Sequence, residues 1–180
     1  MTIVVTGATG HLGRLAIDHL IARGVSASDI VAAGRNPEKL AELDALGVRT
    51  AVIDFTAPAT LDAAFAGADT LVLVSGSEVG QRAVQHGNAI DAAKRAGISR
   101  IVYTSAPAAM TSALILAPEH KATEEALVAS GVPFTILRNG WYNENYAASF
   151  AQVVGTGVYL TSTGEGRVAS AARTDYAEAI

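Results

Sequence analysis

The sequence predicts an α/β protein built on a doubly wound parallel sheet, with six or more strands flanked by helices. A β-branched run at residues 2–5 leads directly into a glycine-rich loop and then into a helical pattern of apolar residues. Strand-like and helix-like segments then alternate through most of the chain, which is the pattern of parallel strands joined by helical crossovers. Half of the 180 residues are hydrophobic and only 6% are aromatic, a balance typical of buried parallel strands covered by alanine-rich helices.

Six short apolar runs are predicted to be strands, and each is followed by a small, polar or charged residue. They are residues 2–5, 29–33, 48–53, 70–74, 100–104 and 133–138. The fourth run is apolar on both faces, as a central strand of a parallel sheet must be. Ligands of such sheets bind at the carboxyl ends of the strands, near the point where the strand order reverses.

The helices between these strands are predicted from apolar spacing and from the residues that end them. The first helix follows the glycine loop and carries Leu12, Leu15, Ala16 and Leu20 at helical spacing. The others cover residues 37–46, 61–66, 79–96 and 118–130, and each is followed by a glycine. A last helix starts near Thr174 but continues for little more than one turn, and a helix that short is unstable alone.

The glycine loop predicts a dinucleotide-binding turn of a Rossmann fold. Gly7 would make the tight turn, Gly10 would let the backbone approach a pyrophosphate, and Gly13 would let the helix pack close to the strand. The free N–H groups of the helix start would bind the phosphates. The candidate cofactor-binding residues of the loop are Gly7, Thr9, Gly10, His11, Leu12 and Gly13. The alternative is a strand-to-helix turn with no ligand.

The end of the second strand favours NADP(H) over NAD. Proteins that bind NAD place an Asp or Glu there to hold the ribose hydroxyls, whereas this chain has Gly34-Arg35-Asn36. The Arg35 guanidinium could pair with a 2′-phosphate, and no carboxylate would repel that phosphate. The alternative is an exposed Arg35 beside NAD. Asp54, at the third strand end, would contact the adenine amine or be a simple surface carboxylate.

Composition excludes several other classes of site. The chain has no cysteine, which fits a cytoplasmic location and excludes a thiol nucleophile. No cluster of His, Asp or Glu indicates a metal, and no apolar run is long enough to span a membrane. The net charge of −4 without a basic cluster argues against nucleic-acid binding. The Tyr–Lys pair of many dehydrogenases is also absent, because residues Arg35, Ile90 and Ala117 precede the three lysines by four positions.

Several segments together resemble the NmrA-like branch of the atypical short-chain dehydrogenases. Within that branch the chain is most similar to the bacterial NADPH:quinone oxidoreductase type 2 proteins, relatives of the triphenylmethane reductases. The segments are residues 6–13, 34–37, 75–82 and 103–105, Glu119-His120 with Thr123-Glu124, and residues 137–146, of which the last is the most specific. His11 stands where many relatives carry Gln, and either side chain can donate a hydrogen bond.

The resemblance implies NADPH binding and hydride transfer to a quinone without the Tyr–Lys pair. His120 is then the candidate catalytic residue, as a proton donor or a hydrogen-bond partner of the quinone oxygen; the alternative is a solvent-exposed histidine at a helix start. The other candidate cofactor contacts are Ser75, Gly76, Ser105, Asn139, Gly140, Tyr142 and Asn143. Tyr142, with Trp141 and Tyr146, could equally be ordinary helix packing.

The resemblance also bears on domain organisation and on the alternative function. Residues 1–180 are expected to be one NADP-binding domain that ends before a C-terminal portion on the substrate side. The expected partner is a small-molecule quinone, and a homo-oligomer stays open. The alternative function is a regulatory protein of NmrA type that senses NADP without turning over. A nucleotide-sugar epimerase is disfavoured because it would use the missing Tyr–Lys pair.

Overall fold

The computed structural model describes residues 1–180 and confirms the predicted doubly wound sheet. Its central sheet has six parallel strands in the order β3-β2-β1-β4-β5-β6. The strands are β1 (Ile3–Val5), β2 (Ile30–Gly34), β3 (Arg49–Val52), β4 (Thr70–Leu73), β5 (Arg100–Ser105) and β6 (Phe134–Arg138). A separate pair of short parallel strands joins β7 (Trp141–Tyr142) to β8 (Ser170–Ala171).

Seven α-helices accompany the strands. They are α1 (His11–Ala22), α2 (Pro37–Asp44), α3 (Pro58–Phe65), α4 (Arg82–Ala96), α5 (Ala117–Ser130), α6 (Ala147–Thr156) and α7 (Arg173–Glu178). The start of α4 differs from the sequence prediction, because residues 79–81 form the approach to this helix and not its first turn. No helix is long and apolar enough to cross a membrane.

The strand order reverses at β1, which lies between β2 and β4. Val4 in β1 is in register with Val31 on one side and with Leu71 on the other. All three residues of β1 are buried, because helices cover both faces of the sheet. The chain therefore leaves β1 and β4 toward opposite neighbours, and a crevice opens at their carboxyl ends.

The core consists of two apolar layers, one on each face of the sheet. The layer under α3, α4 and α5 contains Phe65, Tyr103 and Leu127, which are fully buried. The layer under α1 and α2 contains Ile17 and Leu43. Burying both faces explains why the central strands are continuously apolar and not alternating.

Helix α7 is as short as the sequence predicts, and it is held by α1. Ala177 is buried in the second apolar layer. His19 of α1 is hydrogen-bonded to Thr174 at 2.9 Å, and Arg23 pairs with Glu178 at 3.0 Å. Packing of this kind stabilises a helix that propensity alone would leave unfolded.

Candidate active site

A cavity of about 470 Å³ opens at the carboxyl ends of β1, β2, β3 and β4. This is the crevice at the strand-order reversal, where doubly wound sheets bind ligands. Its lining consists of residues Gly7, Thr9, Gly10, His11, Leu12, Gly13, Gly34, Arg35, Ile53, Phe55, Val74, Ser75, Gly76, Ser77, Glu78, Arg82, Gln85, Tyr142 and Arg173. The floor is thus the glycine loop, and the walls come from the other strand ends and from α4.

Each of the three loop positions requires glycine for a different geometric reason. Gly7 has φ +62°, a conformation that favours glycine. A Cβ at Gly13 would lie 2.3 Å from the Gly7 carbonyl oxygen, so only glycine lets α1 approach β1 this closely. A Cβ at Gly10 would meet that same oxygen at 3.2 Å and nothing else of the protein within 4 Å. Gly10 therefore keeps the cavity open, whereas Gly13 keeps the helix in place.

The start of α1 presents unpaired backbone donors to the cavity. Gly10 is the N-cap and contributes no side-chain hydrogen bond to the helix. The N–H groups of His11, Leu12 and Gly13 have no backbone acceptor. Such donors, together with the positive end of the helix dipole, bind phosphate groups.

Arg35 lies at the mouth of the cavity, directly after β2. Its side chain is 66% exposed and donates a hydrogen bond of 2.7 Å to the Glu78 carboxylate, which follows β4 on the opposite side of the mouth. Exposed pairs of this kind contribute little, about 0–1 kcal/mol. Arg35 can therefore exchange this partner for a more strongly bound anion.

Arg82 is a buried cation in the wall formed by α4. Its guanidinium pairs with Glu119 of α5 at 3.0 Å, and its backbone N–H donates to the same carboxylate at 2.9 Å. Burial acts to raise the pKa of Glu119, but hydrogen bonds from the Gly80 and Arg82 backbones and the Arg82 charge outweigh it and hold the pKa below its usual value. The carboxylate stays ionised, and the pair is maintained.

A second cation, Arg173, enters the cavity from the start of α7. Its guanidinium lies over the Tyr142 ring, 4.9 Å from the centroid. Its backbone N–H donates to both oxygens of Glu144 at 2.9 and 3.0 Å. This places Tyr142 in a two-stranded ribbon beside the cavity and not in helix packing, the alternative left open by the sequence.

His120 is buried beside the cavity wall and does not line the cavity. Only 5% of the residue is exposed, so the alternative of a solvent-exposed histidine at this helix start is wrong. Its Nδ1 lies 2.6 Å from the hydroxyl of Tyr103. Burial lowers the pKa of His120, and the Arg82 charge lowers it further. Burial also raises the pKa of Tyr103, so both groups are neutral at pH 7.

Three predicted residues have side chains occupied by neighbours. The Asp54 carboxylate accepts hydrogen bonds from the backbone N–H and the hydroxyl of Thr56, at 2.8 and 2.7 Å. The Ser105 hydroxyl donates to Glu124 at 2.6 Å. Asn139 donates its only side-chain hydrogen bond to the Tyr142 hydroxyl at 3.4 Å. None of the three predicted residues lines the cavity.

The structure divides the predicted site residues into two groups. Those that line one cavity are Gly7, Thr9, Gly10, His11, Leu12, Gly13, Arg35, Ser75, Gly76 and Tyr142; those outside its lining are Asp54, Ser105, His120, Asn139, Gly140 and Asn143. Arg82, Gln85 and Arg173 line the cavity without having been predicted as cofactor contacts. A signal in the sequence was available for Arg82 and Gln85, because they are polar residues one helical turn apart at the start of a helix that follows a strand end. No group of three or more potential ligand side chains is placed to hold a metal ion.

Comparison with known proteins agrees with this geometry. The chain is 50% identical to quinone oxidoreductase 2 of Escherichia coli strain K12 over 177 residues, which is 98% of this chain and 62% of the relative. The crystal structure of an NADPH-dependent quinone oxidoreductase from E. coli complexed with NADPH superimposes with a TM-score of 0.94 at 49% identity, covering 98% of this chain and 62% of the other. The NADP(H) complex of Citrobacter sp. triphenylmethane reductase has a TM-score of 0.93 at 39% identity, covering 99% and 64%.

This similarity confirms the resemblance inferred from the sequence. The chain spans about three fifths of the length of these relatives. A family model described as NAD(P)H-binding matches residues 7–180, which include the glycine loop and the ends of β2, β3 and β4. The chain belongs to the NAD(P)H-binding family.

Proposed function

We propose that this chain forms the cofactor-binding part of an NADPH-dependent reductase that transfers a hydride to a quinone or a similar planar electrophile. The observation that carries the proposal is the cavity mouth, where Arg35 follows β2 in place of a carboxylate. The similarity to a quinone oxidoreductase and to a triphenylmethane reductase, both solved with NADPH or NADP(H), supports the cofactor and the class of acceptor.

The lining residues divide between the two ends of a dinucleotide. The free N–H groups at the start of α1 would bind the pyrophosphate, and Thr9 and His11 would flank it. Arg35 would leave Glu78 and pair with the 2′-phosphate. Ser75, Gly76 and Tyr142 would then contact the nicotinamide half, at the ends of β4 and β7.

Reduction of a quinone by NADPH needs little acid catalysis from the protein. NADPH supplies the hydride, and a quinone is an activated acceptor whose reduced oxygens can be protonated by water or by a weak donor. The main task of the chain is to position the two reactants. His120 fits an assisting role: when the Tyr103 hydroxyl donates to Nδ1, the neutral imidazole carries its proton on Nε2. A ketone would require the missing Tyr–Lys pair far more.

The cofactor test compares NADPH and NADH in the complete gene product. Arg35→Ala should weaken NADPH by about 1.5–3 kcal/mol, roughly 10- to 150-fold, because a charge-assisted pair with the phosphate is lost. NADH binding should change little. Arg95→Ala is the matched control, since Arg95 is a similarly exposed arginine, 51% accessible and paired with Asp62. Equal losses for both cofactors would contradict the assignment.

The turnover test measures NADPH oxidation with a series of quinones, beside dye and azo acceptors. A deuterium label on the transferred position of NADPH should slow turnover. His120→Ala should lower the rate by less than the roughly 10²- to 10⁴-fold expected for an essential general acid. A protein that binds NADPH tightly but reduces none of these acceptors would support the NADP-sensing alternative, which none of the comparisons favours. Cytoplasmic location and the extent of the domain stay predictions, and the choice between a monomer and a homo-oligomer stays open.

A further inference from the structure

The peptide of Gly76 is held on both of its polar groups by α4. Gly76 follows β4 and lines the cavity. Its N–H donates to Nε2 of His86 at 3.2 Å, and its carbonyl oxygen accepts a hydrogen bond from Nε of Arg82. Arg82 and His86 lie one helical turn apart on α4, so they approach the same peptide from one helix face.

Helix α5 supports both of these side chains with an equivalent pair of residues. Glu119 accepts from the Arg82 guanidinium at 3.0 Å. Thr123, one turn later, contacts Nδ1 of His86 at 3.0 Å through its hydroxyl. Two parallel chains of hydrogen bonds thus run from α5 through α4 to Gly76. We call Arg82, His86, Glu119 and Thr123 the Gly76 clamp.

The hydrogen-bond directions assign the tautomer of His86. The Thr123 hydroxyl donates its proton to the Glu119 backbone carbonyl at 2.8 Å, so it must accept from Nδ1–H of His86. Nε2 is then the unprotonated nitrogen, as it must be to accept from the Gly76 N–H. Both requirements select the same neutral form.

The surroundings of His86 keep the imidazole neutral. The residue is fully buried, between the rings of Phe55 and Tyr103. Burial lowers its pKa to about 3, repulsion from a protonated His120 and from Arg82 acts in the same direction, and Glu119 opposes them. No buried side-chain nitrogen or oxygen of the protein lacks a hydrogen-bond partner. The clamp is therefore fully satisfied before any ligand binds.

We propose that the Gly76 clamp fixes the orientation of the Gly76 peptide for the nicotinamide half of the cofactor, with His86 and Arg82 as positioning residues. The inference rests on the proposed function, because it assigns Gly76 to the nicotinamide end. The pyrophosphate and the 2′-phosphate would contact other elements. Loosening the clamp therefore affects the geometry of hydride transfer more than the affinity for NADPH.

The test uses Thr123, which does not line the cavity and is 1% exposed. Thr123→Val keeps the side-chain volume but removes the acceptor for His86 Nδ1–H. Thr123→Ser keeps the hydroxyl and should restore the hydrogen bond from His86 Nδ1–H. Thr135→Val in β6, where the hydroxyl accepts only from Arg100, is the matched control. Thermal unfolding is recorded for every variant, so that only folded proteins are compared.

We expect Thr123→Val to lower kcat about ten-fold while KM for NADPH changes less than three-fold. Thr123→Ser and Thr135→Val should stay within two-fold of the parent. ¹⁵N NMR of the parent should show His86 protonated on Nδ1 only, and the amide of Gly76 should exchange faster with solvent in Thr123→Val. A folded Thr123→Val protein with unchanged kcat and unchanged Gly76 exchange would overturn the clamp.

The two proposals can fail separately. If the parent protein reduces no acceptor, the proposed function fails, and the clamp is judged by Gly76 exchange and by the His86 tautomer. If the parent is active and Thr123→Val has the same KM and kcat as the control Thr135→Val, the clamp has no positioning role. A His86 protonated on Nε2 would also overturn it, because the Gly76 N–H would then have no acceptor.

Discussion

The second and third glycines of the loop should respond differently to the same substitution. Gly13→Ala places a methyl group 2.3 Å from the Gly7 carbonyl oxygen and 2.7 Å from its carbon. Both atoms are backbone, so relief requires α1 to move away from β1. Gly10→Ala meets one atom at 3.2 Å and points into the cavity. The first change should therefore act on stability and the second on cofactor binding.

The magnitude for Gly13→Ala follows from two opposing terms. Alanine in place of glycine inside a helix contributes about 0.5–1 kcal/mol of stability. Overpacking a close contact, backbone shifts included, costs about 1–3 kcal/mol. Gly87→Ala in α4 isolates the first term, because a Cβ there meets nothing within 4 Å. We expect Gly87→Ala to stabilise by about 0.5–1 kcal/mol. Gly13→Ala should destabilise by about 1–2 kcal/mol, because a contact at 2.3 Å with backbone falls toward the upper end of the overpacking cost.

Urea unfolding of the three variants measures the stability terms, and calorimetric titration with NADP⁺ measures the binding terms. Gly10→Ala should lose no more than about 1 kcal/mol of stability, since an N-cap glycine and an alanine differ modestly. Its affinity for NADP⁺ should fall at least ten-fold, because the methyl group occupies space that a pyrophosphate needs. If Gly13→Ala were as stable as Gly87→Ala, the close approach of α1 to the loop would not be a real constraint.

Two further predictions concern pH. Because the pKa of His86 falls from 6.5 to about 3 on folding, the unfolded chain binds its proton first as the pH falls. This histidine alone should lower stability by about 2–3 kcal/mol between pH 6.5 and 4.5. His86→Gln should make the slope shallower, and the remaining slope should come from His120 and from the carboxyls whose pKa is lowered, such as Glu124. The hydrogen bonds from Arg138 hold the pKa of Glu124 below its usual value, so Glu124→Gln should cost about 1–3 kcal/mol at pH 7. That cost should shrink as the pH falls through the pKa of the Glu124 carboxyl. A difference in unfolding free energy between the parent and Glu124→Gln that does not change with pH would contradict this prediction.

The fold could be predicted because its signals are local and repeated. Each strand is a short apolar run, and each helix between them ends near a glycine. Strands that alternate with helices allow few sheet topologies, because the crossover connections are right-handed. Boundaries were less accurate: α4 begins at Arg82 and not at residue 79, because Gly80 has φ +90°, a left-handed conformation that the first turn of a helix cannot contain.

The cavity was predictable where one continuous segment builds it, and less so elsewhere. The glycine loop contributes residues in sequence order, and Arg35 follows from its position after β2. Strand-end position identifies the edge of the sheet but not the partner of each side chain. Ser105 lies at the correct edge of the sheet, yet its hydroxyl donates a hydrogen bond to Glu124 and not to the cavity. The same limit applies to Asp54, which bonds to Thr56 two residues away.

The wall formed by α4 shows why the remaining part of the site is hidden in the sequence. Arg82 and His86 are one turn apart on one helix, and Glu119 and Thr123 are one turn apart on the next. Either pair alone is an ordinary polar helix face. Only the packing of α4 on α5 aligns them, and only the end of β4 gives them a common peptide to hold. The phosphate-binding floor is thus specified by contiguous residues, whereas the orientation of Gly76 depends on long-range packing. Substitutions between α4 and α5 should consequently alter turnover without altering phosphate recognition.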